Sequence, residues 1–259
     1  MSSTTQTTTS NTARRGSVRV QPSPKRVRIY LGGKLVADST AALLVWEAPY
    51  YPTYYLPVAD VRAELEPTDT TTRSPSRGEA VHYTVRVGEA EAVDGALRYP
   101  DSPLDELRDT VRFDWNAMDA WFEEDEEIFV HPRDPHTRVD VLPSSRHVRV
   151  LVNGEVVADS HRPWLLFETG LPTRYYLPKV DVRMDLLEPT DTVTHCPYKG
   201  DAQYWAVRAG GETVPDIAWS YRHPVPESIR VAGAVSFYNE RVDIEVDGLP
   251  LDRPQTKFS

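Results

Sequence analysis

The chain has 259 residues, and its 29 basic and 39 acidic side chains give a formal charge of −10. That length suits one large domain or two smaller ones, each able to bury a core, and the acidic balance excludes nucleic acid as the expected partner, because sequence-independent phosphate binding needs a basic surface. The single cysteine, Cys196, excludes an internal disulfide and any Cys-x-x-Cys zinc knuckle.

Residues 1–24 open on a run of serine and threonine and read as a disordered tail. Arg14-Arg15 is followed by Gly16-Ser17-Val18-Arg19 and not by an apolar segment, so no twin-arginine export signal is expected. Beyond the tail the chain repeats itself. Val27-Arg28-Ile29-Tyr30-Leu31-Gly32-Gly33-Lys34-Leu35-Val36-Ala37-Asp38-Ser39 matches Val148-Arg149-Val150-Leu151-Val152-Asn153-Gly154-Glu155-Val156-Val157-Ala158-Asp159-Ser160. Tyr54-Tyr55-Leu56-Pro57 then matches Tyr175-Tyr176-Leu177-Pro178. After Leu187, an insertion, Glu66-Pro67-Thr68-Asp69-Thr70 matches Glu188-Pro189-Thr190-Asp191-Thr192. Two homologous domains are therefore expected in tandem, over residues 25–130 and 146–259.

Each copy reads as β-rich. Gly32-Gly33 and Asn153-Gly154 sit between alternating apolar runs, the pattern of a hairpin whose turn needs φ > 0 at both central residues. In the second copy, strands are expected over 165–168, 174–177, 182–186, 203–209, 235–238 and 242–246, punctuated by Gly, Pro, Asn or Asp. A short helix is expected over 104–111, after Ser102-Pro103, and a single helical turn over 226–229. Glu123-Glu124-Asp125-Glu126-Glu127 reads as a solvated face or turn tip, with a docking surface for a basic partner as the alternative. Residues 131–145 are too apolar and arginine-rich for a floppy tether and read as an ordered linker.

The Asn153-to-Ser160 run, Glu168-Thr169, Arg174-Tyr175-Tyr176-Leu177-Pro178, Asp181-Val182-Arg183 and Cys196-Pro197-Tyr198-Lys199-Gly200 together carry a resemblance. The chain resembles the bacterial family known as domain of unknown function 427, sometimes labelled nucleotidyltransferase-like. The resemblance covers nearly all of copy two and most of copy one. It implies an all-β, mainly antiparallel fold of two tandem β-tent (Mss4-like) domains with short helical turns. It implies little about activity. No Asp-x-Asp after a Gly-Ser turn and no phosphate-cradling glycine-rich loop supports the nucleotidyltransferase label. Relatives of that fold bind zinc through paired Cys-x-x-Cys knuckles, which this chain lacks.

The candidate chemistry gathers around Cys196-Pro197-Tyr198-Lys199-Gly200. The equivalent stretch of copy one, Ser74-Pro75-Ser76-Arg77-Gly78, keeps the frame and one cation but loses the cysteine and the tyrosine. A degenerate copy keeps structural residues and loses functional ones. On that reasoning Arg174, Cys196, Tyr198 and Trp205 are functional candidates; Lys199, as a point charge beside aromatic residues, and Tyr175 complete the expected ligand-binding set. Glu47 and Glu168, present in both copies, read as structural. Cys196 and Lys199 are also the candidates for catalysis, by a hydrolase or group-transfer enzyme. His195 alternates to the opposite face of a strand from Cys196, which leaves that cysteine without an evident base. The spacing of His131, His136 and His147 with Asp134 makes no ligand set, and neither metal nor cofactor is expected. The leading expectation is a small-molecule-binding protein whose pocket, in copy two, takes a planar or acidic molecule. No apolar run approaches the roughly 18 residues that span a bilayer, so no membrane partner is expected, and the lone cysteine suits the cytoplasm.

Overall fold

The structure is a computed structural model that describes residues 18–256 and 258–259. Most of the expected tail, residues 1–17, lies outside the described residues. The chain divides into two compact units, the first ending at Pro132 and the second beginning at Arg133. Among the described residues both are built of antiparallel strands with five short 3-10 turns.

In the first unit a seven-stranded sheet runs from edge to edge as Arg19–Pro22, Leu43–Trp46, Thr53–Pro57, Thr110–Phe113, Ala90–Arg98, Gly78–Val87 and Glu64–Ser74. A four-stranded sheet, Glu126–Ile128, Ala120–Glu123, Val27–Leu31 and Lys34–Ser39, packs against it. The second unit repeats the plan with its large sheet in two parts. Val139–Pro143, Trp164–Glu168 and Arg174–Tyr176 form one part; Leu187–Cys196, Gly200–Ala209, Glu212–Pro224 and Ser236–Phe237 form the other. Only the single bridge Leu177–Val235 joins them, where copy one pairs Leu56–Val111 and Pro57–Thr110. The smaller sheet is Glu155–Ser160, Val148–Val152, Asp243–Val246 and Leu249–Pro250.

Both expected hairpins form. Gly32 and Gly33 have φ of 58° and 68°, and Asn153 and Gly154 have 49° and 79°, the left-handed pair that a type I′ turn requires. The repeated Glu-Pro-Thr-Asp-Thr motif also has a physical role. Thr68 and Thr70 donate to the carboxylate of Asp94 at 2.6 and 3.0 Å, and Thr190 and Thr192 donate to Asp216 at 2.6 and 2.8 Å. Each aspartate takes a left-handed backbone, φ 51° and 49°, and the paired hydroxyls hold it there.

Four expectations need correction. Residues 182–186 do not form a strand: Met184–Leu186 is a 3-10 turn, and the strand starts at Leu187. Residues 104–111 are not one helix: a 3-10 turn spans Asp105–Leu107, after which Thr110–Phe113 joins the sheet through Ala96 and Leu97. The tail does not extend to residue 24, because Arg19–Pro22 pairs with Leu43–Trp46. Residues 133–145 are no linker either, since Val139–Pro143 pairs with Trp164–Glu168 within the second unit. Val18-Arg19-Val20-Gln21-Pro22-Ser23 and Val139-Asp140-Val141-Leu142-Pro143-Ser144 are thus the first strand of each repeat, their alternate valines facing inward.

Two apolar clusters fill the second unit. One gathers Val148, Val150, Val207, Ile217, Phe237 and Ile244 with their neighbours. The other gathers Leu166, Tyr176, Tyr204, Trp219 and Tyr221 with theirs. The strand Gly200–Ala209 serves both, giving Ala202 and Tyr204 to the second and Val207 and Ala209 to the first. Its pairing with Glu212–Pro224 shifts register between Trp205 and Val207.

Candidate functional site

The Cys196-to-Gly200 turn closes the hairpin between Leu187–Cys196 and Gly200–Ala209. The Lys199 amide donates to the Cys196 carbonyl at 3.2 Å, forming the turn. Three residues of the same unit fix it from outside. Arg133 Nε donates to the Pro197 carbonyl at 2.7 Å, the Asp134 amide to the Tyr198 hydroxyl at 2.6 Å, and Ser228 Oγ to the Tyr198 carbonyl at 3.0 Å. Tyr198 therefore anchors the turn, and burial is the first of the causes that raise its pKa.

Lys199 Nζ is paired with the Glu168 carboxylate, with only 12% and 10% of the two side chains exposed. Copy one has the corresponding arrangement. Glu47 accepts from the Tyr55 hydroxyl, with Arg77 Nε 3.8 Å and Arg112 Nε 3.6 Å from its oxygens. Arg77 is thus no open surface cation, and the contrast between the copies is smaller here than the sequence suggests. One difference stands. Pairing of Leu97 with Arg112 and of Trp219 with Ser236 makes Ser236 the counterpart of Arg112. Glu47 faces two guanidinium groups and Glu168 one amine; the Ser236 hydroxyl is buried without a hydrogen-bond partner. Tyr176 and Tyr221 lie close enough to feel both Cys196 and Glu168; burial is the main cause that pushes their hydroxyl pKa values above 10.

The other expected site residues lie elsewhere or are committed. Arg174 is buried and holds Glu240 in a two-pronged ion pair, Nη1–Oε2 at 2.6 Å and Nη2–Oε1 at 2.8 Å, with Asn239 Oδ1 at 3.2 Å. Trp219, Tyr238 and Phe258 surround its guanidinium at 5.6–5.7 Å. Burial raises the Glu240 pKa, but hydrogen bonds from Arg174 and Thr256 outweigh it and hold the carboxyl below its ordinary value. Tyr175 is buried in the first-named cluster, and Trp205 packs against that same cluster with Lys179 Nζ 5.3 Å from its ring. His195 Nδ1 meets Asp201 at 2.6 Å, an exposed pair on the strand edge. The acidic run of copy one is largely engaged at home. Glu123 pairs with Lys25 and accepts from Tyr54 at 2.8 Å, Glu124 accepts the Arg26 amide at 2.9 Å, and Asp125 pairs with Arg28 at 2.7 Å.

Copy one contains a cleft of about 40 Å³ lined by His82, Asp94, Ala96, Leu97, Arg112 and Asp114. That is room for water and not for a metabolite, whose pockets run to roughly 300–1,000 Å³. In copy two Tyr204, Trp219 and Tyr238 take the places of His82, Leu97 and Asp114, with Trp219 and Tyr238 4.6 Å apart.

His147 also has neighbours that its spacing hides. His131 stacks on Tyr51, whereas His147 stands beside Asp159 and His161.

The architecture defines a tandem all-β protein whose two copies each set a cation–carboxylate pair against buried tyrosines. The family model described as Domain of unknown function (DUF427) matches residues 19–124 and again 140–248, and the chain belongs to that family. Both matches begin upstream of the sequence-derived boundaries, at or one residue into each repeat's first strand. No curated protein matches the chain. Among the described residues no helix is long and apolar enough to cross a membrane.

Proposed function

We propose that this chain is a small-molecule-binding protein, with its recognition site in the second unit at the Cys196-to-Gly200 turn. The observation that supports this reading is the unequal cation count: Glu168 pairs with Lys199 alone, where Glu47 faces both Arg77 and Arg112. At 3.8 and 3.6 Å the Nε atoms of Arg77 and Arg112 balance the charge of Glu47 without hydrogen-bonding to it, so the contrast between the copies is one of charge. Glu168 has a single cation, and most of the roughly four acceptor positions of its carboxylate stay open to a donor. An acidic ligand would have to displace Glu168 from Lys199. The favoured ligand is therefore a planar molecule carrying an amine or amide donor, its ring laid against the partly exposed Tyr198. Within this reading the site comprises Lys199, Glu168 and Cys196, with Tyr198 as the anchor of the turn; Arg174, Tyr175 and Trp205 support the fold. The β-tent label and a cytoplasmic setting belong to the same reading.

The test is a thermal-shift screen of the full chain against a metabolite set, followed by affinity measurements on variants. Lys199→Ala leaves Glu168 without its cation, so the isosteric Glu168→Gln is the cleaner probe. Losing a hydrogen bond to a charged group costs about 1.5–3 kcal/mol, roughly ten- to a hundredfold in affinity. Glu168→Gln is expected to weaken any hit at least tenfold, and Arg77→Ala less than threefold. Equal effects from the two, or a screen without hits, would overturn the proposal.

A further inference from the structure

His147 directly precedes the strand Val148–Val152, and His161 directly follows its hairpin partner Glu155–Ser160. The register pairs Val148 with Ser160 and Arg149 with Asp159. Continued by one step it sets His147 opposite His161, and residues 147, 149, 159 and 161 share one face. The two imidazole rings stack at 4.0 Å with 13° between their planes, and His147 Nε2 lies 2.7 Å from Asp159 Oδ1. One donor atom from each of His147, Asp159 and His161 falls within 4.8 Å of the others.

The duplicate shows what this place holds when it is purely structural. Its counterparts are Arg26, Asp38 and Thr40, and Arg26 grips Asp38 through Nε and Nη2 at 2.7 and 2.6 Å. The second copy keeps the aspartate and replaces the guanidinium and the threonine with two imidazoles. A single histidine would suffice to replace Arg26 as the partner of Asp159. The second, at the position of Thr40, is unexplained by that exchange.

We propose that His147, Asp159 and His161 form a binding site for a divalent transition-metal ion, with zinc, nickel and copper as the class that two imidazoles and a carboxylate favour. Ligands about 2.1 Å from a shared tetrahedral ion lie roughly 3.4 Å apart, so the separation of up to 4.8 Å closes with small rotations of partly exposed side chains. The ion takes the place of the direct contact between His147 Nε2 and Asp159 Oδ1, and water completes the coordination on the solvent side. Arg149 stands 3.6 Å from Asp159 Oδ2 and opposes the ion's charge, although Glu245, 2.6 Å from its Nη1, offsets that cation. This inference reverses the expectation, from cysteine count and spacing, that the chain binds no metal.

The experiment is calorimetric titration of the full chain, without an affinity tag, with zinc chloride in a non-chelating buffer. One equivalent of zinc is expected per chain. His161→Ala is expected to weaken binding at least tenfold. His147→Arg, which rebuilds the pair of the first copy and so preserves the fold, is expected to do the same. Absence of stoichiometric binding overturns the proposal. So does binding that survives both substitutions, which would place the ion elsewhere, for instance at His195 and Asp201.

Discussion

Arg174 shows how far residue-by-residue comparison of the copies carries. It differs from Thr53 at the matching position, and that difference marks it as special. The specialisation is internal: its guanidinium neutralises Glu240, whose side chain is fully buried, and closes the Trp219, Tyr238 and Phe258 cluster. The sequence could not reveal this, because Glu240 lies outside every repeated motif. Removing one partner of a buried pair leaves an uncompensated charge and costs about 3–5 kcal/mol. Arg174→Ala is expected to lower the stability of the second unit by that amount in urea denaturation, while Arg174→Ala with Glu240→Ala together should cost less than the single change. A single variant as stable as the parent would return Arg174 to the list of ligand contacts. Lys199 stands out in the sequence because Cys196 and Tyr198 beside it are missing from the first copy, but what it touches does not. Its partner Glu168, 31 positions away, was legible only as structural.

At the scale of elements, the hairpins were readable because their turn chemistry is local. Gly32-Gly33 and Asn153-Gly154 take the left-handed conformations that few other pairs adopt cheaply. The first strand of each repeat does not stand out, although Val-x-Val-x-Pro-Ser recurs in both copies; an edge strand of four or five residues carries too few alternations. The Cys196-to-Gly200 turn combines both kinds of information. Gly200 has φ +95°, and a Cβ there would sit 3.1 Å from the His223 carbonyl oxygen and 3.4 Å from Pro224 Cα. Gly154 has φ +79° with nothing within 4 Å of an added Cβ. Alanine at either pays the left-handed penalty of about 1–2 kcal/mol, but at Gly200 it must also displace backbone. Gly200→Ala is therefore expected to destabilise more than Gly154→Ala, with urea midpoints as the measure. Equal midpoints would mean that the turn yields freely, and would weaken the claim that Arg133, Asp134 and Ser228 hold it rigid.

For the whole molecule, duplication is the fact the sequence carries best, and the place where each copy begins is what it carries worst. The periodic match starts at Val27 and Val148, so a boundary near Arg146 follows naturally from it. The unit itself begins at Arg133, and the intervening residues bind into it throughout. Val141 is buried among Leu166, Tyr176 and Trp219, Arg230 Nη1 donates to the Val141 carbonyl at 3.0 Å, and Arg133 and Asp134 fasten the Cys196-to-Gly200 turn. A fragment starting at Arg146 would lose the burial of Val141, worth about 1.5–3 kcal/mol, and bare the edge of Trp164–Glu168 where Glu168 sits. A fragment of residues 133–259 is expected to fold alone with a cooperative thermal transition. One of residues 146–259 should melt at least about 5 °C lower, since each kcal/mol moves the midpoint of a domain by roughly 2–8 °C. Aggregation of the shorter fragment through its bared strand would agree with the same account. Equal melting temperatures would show that residues 133–145 lie on the second unit without holding it together, and would restore the boundary drawn from the repeat.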